Sequence, residues 1–173
     1  MRYNQAYALG ISSTALSILL AISTGTLSAA EKFSGGEVKK GSLSANFSSK
    51  GCIDAISYDG QKLMRTNNGI TTTGSKDNEW EPWMPQMYMK DVLLEKEDSP
   101  ECVVVKSSGI LQPKGSESSS KISSTTKIYS DRIVQECSIR SSEKDLWRRA
   151  GESFRVDSSA FGTMNYRTGA GEW

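Results

Sequence analysis

Residues Ile122-Ser123-Ser124-Thr125-Thr126-Lys127-Ile128-Tyr129-Ser130-Asp131-Arg132-Ile133-Val134-Gln135-Glu136-Cys137-Ser138-Ile139-Arg140 decide the fold class. Two runs rich in β-branched side chains flank Ser130-Asp131, a pair suited to a tight turn. In the second run Ile133, Cys137 and Ile139 fall on one face of a strand and Arg132, Glu136 and Arg140 on the other, the period of two that a half-buried strand needs. The spacing therefore predicts a hairpin from Ile122–Tyr129 and Arg132–Arg140.

Upstream, the same signature recurs. Cys102 to Ser108 is the most β-branched run of the chain, and Asp98-Ser99-Pro100-Glu101 turns it back on a strand expected over Tyr88–Glu97. In that strand Val92 and Leu94 share one face and Leu93 takes the other. Ile110-Leu111 reads as a short separate piece stopped by Pro113, and 115–120 as a serine-rich connection. Nearer the start, Leu43, Ala45 and Phe47 alternate with polar residues, and Ser49-Lys50-Gly51 turns the chain. Cys52–Tyr58 follows, with Ile53 and Ala55 opposed to Ile56 and Tyr58. Asp59-Gly60 is a hairpin signal because both residues tolerate positive φ. Lys62–Arg65 resumes the pattern, and Asn67-Asn68-Gly69 is expected to end it. Trp147–Trp173 contains Phe154 and Val156 in alternation, then becomes glycine-rich.

Composition agrees. From residue 31 onward Ile plus Val number 15 and Leu plus Ala 11, while Ser, Thr and Gly make up 44 of 143 residues. Helix formers are scarce and turn residues plentiful, so the expectation is an all-β, antiparallel β-sandwich of eight to ten short strands. The chain closes on Gly169-Ala170-Gly171-Glu172-Trp173 without a clean last strand, which reads as a domain cut short.

Residues 1–30 read as an export signal. Arg2 precedes an uncharged stretch centred on Leu16, Ile18, Leu19, Leu20, Ala21 and Ile22, and Ser28-Ala29-Ala30 supplies small residues before Glu31. The expected mature chain is 31–173, secreted or periplasmic, with no membrane contact after the signal is removed. Of 21 basic residues only Arg2 lies before residue 31, so that chain carries 20 basic against 20 acidic side chains. That balance speaks against a nucleic-acid partner, which calls for a basic excess. There is no histidine, which removes every Ser-His, Cys-His and His-metal site from this chain. No metal and no cofactor is expected. Cys52, Cys102 and Cys137 match no metal spacing, and export chemistry allows one bridge among them, with Cys102–Cys137 the first choice. The competing reading makes them small core residues.

Candidate chemistry gathers in Asp77-Asn78-Glu79-Trp80-Glu81-Pro82-Trp83-Met84-Pro85-Gln86-Met87-Tyr88-Met89. The prolines stiffen the path. Flat aromatic faces beside carboxylates and amides suit a sugar: C–H faces stack on Trp80, Trp83 or Tyr88, and hydroxyls bond Asp77, Glu79, Glu81 or the amides. The structural alternative has both tryptophans plugging the open end of the sandwich, with methionines filling gaps. Glu79 and Glu81 also share a face if extended, the residue type a glycosidase pairs across a cleft, but nothing in the spacing assigns a catalytic group.

Phe47-Ser48-Ser49-Lys50-Gly51-Cys52-Ile53-Asp54-Ala55-Ile56-Ser57-Tyr58-Asp59-Gly60-Gln61-Lys62-Leu63 resembles the opening of galactose-mutarotase-like β-supersandwich domains. There a strand, a glycine turn, a second strand and an Asp-Gly hairpin begin the first sheet. Thr126–Val134 resembles a further hairpin of such domains. The likeness covers about two fifths of residues 31–173, in two pieces made of generic hairpins. It implies carbohydrate, either polysaccharide or oligosaccharide, because related domains occur in polysaccharide lyases and glycoside hydrolases beside a catalytic domain. Mutarotases of this fold use histidine with a carboxylate, so that activity is not implied here. Two functions are carried forward. One is an exported carbohydrate-binding or accessory module whose catalytic part, if it belongs to an enzyme, lies outside this chain. The other is a non-catalytic structural or protein-interaction sandwich of the periplasm or cell surface.

Overall fold

The computed structural model describes residues 7–8, 29–75, 84–113, 116–143 and 146–153. These residues are all-β, with one 3-10 turn at Gln86–Tyr88 and antiparallel sheets packed as a sandwich. In chain order the strands are β1 (Tyr7–Ala8), β2 (Glu31–Lys32), β3 (Gly36–Lys40), β4 (Leu43–Phe47), β5 (Ile53–Tyr58) and β6 (Gln61–Ser75). They continue with β7 (Met84–Pro85), β8 (Lys90–Asp98), β9 (Val103–Leu111), β10 (Ser120–Ile128), β11 (Ile133–Ser141) and β12 (Trp147–Ser153). One sheet runs β1-β11-β10-β9-β8-β2; the other runs β12-β6-β5-β4-β3, with β7 also on β6.

The deciding hairpin forms as its alternation requires. β10 and β11 pair without interruption from Ser120–Ser141 to Ile128–Ile133, and β9 pairs with β10 over the same length. Five rows of side chains therefore cross the inner face, and their composition matters. At one end stands Val103–Ile128–Ile133, then Val105–Thr126–Gln135, then Ser107–Ser124–Cys137, then Gly109–Ile122–Ile139, and last Leu111–Ser120–Ser141. The first and fourth rows are apolar, the second and third largely polar, and the last sets Leu111 beside two serines.

The second sheet answers that division. Leu43, Ala45 and Phe47 of β4, Ile53 and Ile56 of β5 and Met64 of β6 bury themselves against Val103, Val105 and Ile128. Ile70 of β6 joins Leu146, Trp147 and Met89 against Leu111 and Ile122. The indole N–H of Trp147 donates to Ser120 Oγ at 2.6 Å, so this buried aromatic keeps its polar edge satisfied. Two apolar clusters thus sit under two halves of one fifteen-residue strand.

That strand departs from the sequence expectation. Asn67-Asn68-Gly69 does not end β6; the backbone continues to Ser75, changing partners from β5 to β12 and β7. Gly69 serves close approach, because a Cβ there would stand 2.7 Å from Gln86 Oε1. The opposed faces expected for β5 are also altered. Ile53 and Ile56 enter the same core because the pairing slips beside each of them, and each such bulge shifts the side-chain parity by one. Ile110-Leu111 is the continuation of β9, and Tyr88 stands in the 3-10 turn ahead of β8. Leu94 is buried, Val92 half-buried and Leu93 exposed, as the alternation predicts. Asp59 and Gly60 have φ of 48° and 79°, as their hairpin requires. Phe154 and Val156 lie outside the described residues.

The expected Cys102–Cys137 bridge is absent: all three cysteines are free, Cys52 and Cys102 buried and Cys137 half-buried. The register explains why. Cys102 precedes the Val103–Ile128–Ile133 row, whereas Cys137 lies two strands away in the Ser107–Ser124–Cys137 row. At about 3.3 Å per residue the rows alone separate them well beyond the ~7 Å Cα limit of a disulfide.

The turn before β5 locks the layers together. Gly51 has φ of +73°, and a Cβ there would fall 2.4 Å from Ser107 Cβ. Gly51→Ala is expected to cost about 3 kcal/mol from left-handed strain plus overpacking. Gly60→Ala, whose Cβ meets nothing within 4 Å, should cost only the strain, about 1 kcal/mol. Urea midpoints of the two variants measure the difference.

Candidate functional site

The aromatic and acidic segment leaves toward β8 through Met84-Pro85-Gln86-Met87-Tyr88-Met89, and its exit is fixed by one buried side chain. Gln86 is 0% exposed. Its Oε1 accepts the backbone N–H of Ile70 at 3.1 Å, and its Nε2 donates to the carbonyl of Lys50 at 3.0 Å and to Ser107 Oγ at 3.3 Å. Ser107 Oγ in turn lies 2.8 Å from Ser124 Oγ. One amide therefore ties β6, the β4–β5 turn and β9, with β10 reached through the serine pair.

Further bonds hold the same turn. Thr72 Oγ1 donates to the carbonyl of Met84, Lys50 Nζ to that of Met89, and the Met89 N–H to that of Gln86. Pro85, with φ of −76°, needs no hydrogen-bond donor and sets up the turn. Met89 drops into the second apolar cluster at 1% exposure, the gap-filling role foreseen for a methionine here. What stays outside is Met87 at 40% and Tyr88 at 58% exposure, with Leu93 at 51% on the outward face of β8. Lys90 and Asp91 beside them are exposed too, and Asp91 has a positive φ of 50° where the β8–β9 pairing shifts.

Of the residues singled out by sequence, Tyr88 is placed: an exposed phenol on a pinned turn. Asp77, Glu79, Trp80, Glu81 and Trp83 lie outside the described residues. Gln86 does not face a ligand, since all its hydrogen-bonding capacity is turned inward. Its role left no trace in the sequence, where it is one polar residue in an apolar hexapeptide; only a partner 36 residues away explains it.

A second polar group lies between the sheets and was equally invisible in the sequence. Glu152 of β12 approaches Cys137 of β11, and burial pushes its carboxyl from the ordinary 4.5 up to about 7, offset in part by the hydrogen bond to Cys137. Burial also pushes the Cys137 thiol up, with the charge of Glu152 adding to the shift. A thiol so placed is a core group and no nucleophile. Among the described residues, Glu152 Oε1 and both amide atoms of Gln135, which is 2% exposed, have no hydrogen-bond partner. Among the described residues no three Cys, Asp or Glu side chains come together as a cation site.

No family model, no curated protein and no solved structure matches this chain.

Two outcomes follow from these two polar groups. Gln86→Leu keeps the bulk but strands the Ile70 N–H and the Lys50 carbonyl, and should lower unfolding free energy by about 2–4 kcal/mol. For Glu152 the folded state binds its proton more tightly than the unfolded chain. Its stabilising contribution is therefore full below pH 4.5 and is lost as pH rises through about 7. Glu152→Gln should remove that slope, leaving the variant more stable than the parent at pH 8 and nearly equal to it at pH 4. Denaturant titrations across that range read both.

Proposed function

We propose that this chain is an exported carbohydrate-binding or accessory β-sandwich module, whose glycan site lies at the rim carrying Tyr88 and the preceding segment with Asp77, Glu79, Trp80, Glu81 and Trp83. The observation that carries the reading is the pinning of an exposed aromatic. Tyr88, 58% exposed, stands on a turn that the buried Gln86 fixes to both sheets. A sugar ring stacking there meets a surface whose ordering entropy has already been lost in folding. Lys90 and Asp91 beside it offer a donor and an acceptor for hydroxyl groups.

The chain's ligand is then a polysaccharide or oligosaccharide, its compartment extracellular or periplasmic after loss of residues 1–30, and its relationship that of the β-supersandwich layers it resembles. Any lyase or glycoside hydrolase chemistry belongs to a catalytic part outside these residues. A protein-contact role is favoured by one observation: Met87, Tyr88 and Leu93 are the large apolar side chains left exposed among the described residues.

A glycan array followed by calorimetry on the best hit separates the two. Tyr88→Ala should weaken glycan binding by about tenfold, the worth of one stacked ring, while Trp80→Ala and Trp83→Ala weaken it at least as much. Absence of binding to every neutral and uronate glycan, or full affinity in all three variants, rejects the sugar site. Retained folding with no glycan binding leaves the protein-contact role.

A further inference from the structure

The outer face of the first sheet carries its charges in an uneven order. On β8 to β11 the residues that alternate with the buried ones point away from the second sheet, and the pairing sets them in rows. Lys90, Ile110, Lys121 and Arg140 form one row. Leu93, Ser108, Ser123 and Ser138 form the next, and Glu95, Lys106, Thr125 and Glu136 the third. Lys90, Lys121 and Arg140 are all exposed.

In the third row charge is matched: Glu95 stands opposite Lys106, whose Nζ also lies 3.2 Å from Glu97 Oε2. In the first row Lys121 stands directly opposite Arg140, cation against cation. Neighbouring strands are about 4.8 Å apart, so this pair repels and costs the sheet stability. Lys90, two strands from Lys121, brings the row to three cations over about 14 Å. Asp91, in the bulge after Lys90, offsets charge at the β8 end, so the positive centre is Lys121 with Arg140. Alongside run the hydroxyls of Ser108, Ser123 and Ser138, each able to donate and to accept. An anion on the row offsets the repulsion that folding left there.

We propose that this face binds an acidic polysaccharide, a linear chain with a carboxylate or sulfate on its sugars, lying across β8 to β11 along the cation row. The inference rests on the glycan reading above and gives that ligand its chemical class. Lys90 follows Tyr88 by two residues, so the row continues from the pinned turn out over the sheet. The acidic groups meet Lys121 and Arg140, whose guanidinium can take both oxygens of one group, and sugar hydroxyls bond the serine row. A membrane surface calls for a broad apolar face, whereas the row beside these cations is hydroxyl on three of its four strands. A nucleic acid calls for a basic excess, whereas acids and bases are equal in number from residue 31 onward. Every residue of the surface lies after residue 30, so the exported chain carries all of it.

Calorimetry on the purified protein tests this with a uronate oligosaccharide, the same chain with its carboxyl groups reduced to alcohols, and a sulfated oligosaccharide. At least one acidic probe should bind about tenfold more tightly than the reduced one. Raising salt from about 50 to about 200 mM should weaken that binding about tenfold. Lys121→Gln/Arg140→Gln should remove the preference. Lys121→Gln alone should also raise the urea midpoint, because it relieves the like-charge pair. Lys127→Gln, an equal loss of charge on the outer face of β10 three rows away, should leave binding unchanged. Equal affinity for acidic and reduced chains, a preference that survives the double variant, or one lost as fully in Lys127→Gln overturns the proposal and leaves the glycan site at Tyr88 standing. Failure to bind any glycan, or binding to anionic phospholipid vesicles alone, overturns both.

Discussion

One buried amide governs how the two layers meet. Gln86 could not occupy a position with no solvent exposure unless its acceptor and both its donor hydrogens were used, because an unmatched buried amide costs more than a made bond returns. Its three bonds reach Ile70, Lys50 and Ser107, which belong to three different parts of the chain. Satisfying all three at once requires β6 to pass close by, which is why Gly69 has no side chain to spare. It also requires the β4–β5 turn to come down onto β9, where Gly51 meets Ser107.

From that constraint the division of the core follows. The second and third rows of the first sheet are largely polar, and the apolar side chains on either side of them collect separate clusters. β6 spans both, so its two halves carry different neighbours and the clusters cannot slide independently. The polar middle is unevenly matched. The Gln86 amide has both its oxygen and its nitrogen bonded; among the described residues Glu152 Oε1 and both amide atoms of Gln135 have no partner. The second region is where proton binding and folding are coupled, since burial holds the Glu152 carboxyl near neutrality.

The same constraint shapes the surface. A turn held by Gln86, Lys50 and Thr72 presents Met87 and Tyr88 outward on a fixed frame, directly after the chain's densest group of aromatic and acidic residues. Rigid presentation is what makes an exposed aromatic useful for recognition, because little ordering remains to be done at binding.

Strand identity was legible in the sequence wherever a two-residue period met turn chemistry: β4, the Asp59-Gly60 hairpin, and the β9, β10 and β11 runs, whose inward residues Val103, Val105, Ile122, Ile128 and Ile139 all reach the core. These signals are local, so a single sequence carries them. What the sequence misread was non-local. Asn67-Asn68-Gly69 has the composition of a strand end, yet the strand continues because β12 pairs with it from Gly69 to Ser75, with β7 at Thr71 and Thr72. Ile53 and Ile56 look opposed until bulges set by neighbouring strands turn both inward. Cys102 and Cys137 look like partners until register sets them five residue positions and two strands apart. In each case the local preference is worth about 1 kcal/mol or less, and burial or hydrogen bonding to residues distant in sequence outweighs it. The sequence by itself determined which residues form strands and where most turns fall; the tertiary structure alone decided how the strands register, because register is chosen by cross-chain packing that no local pattern records.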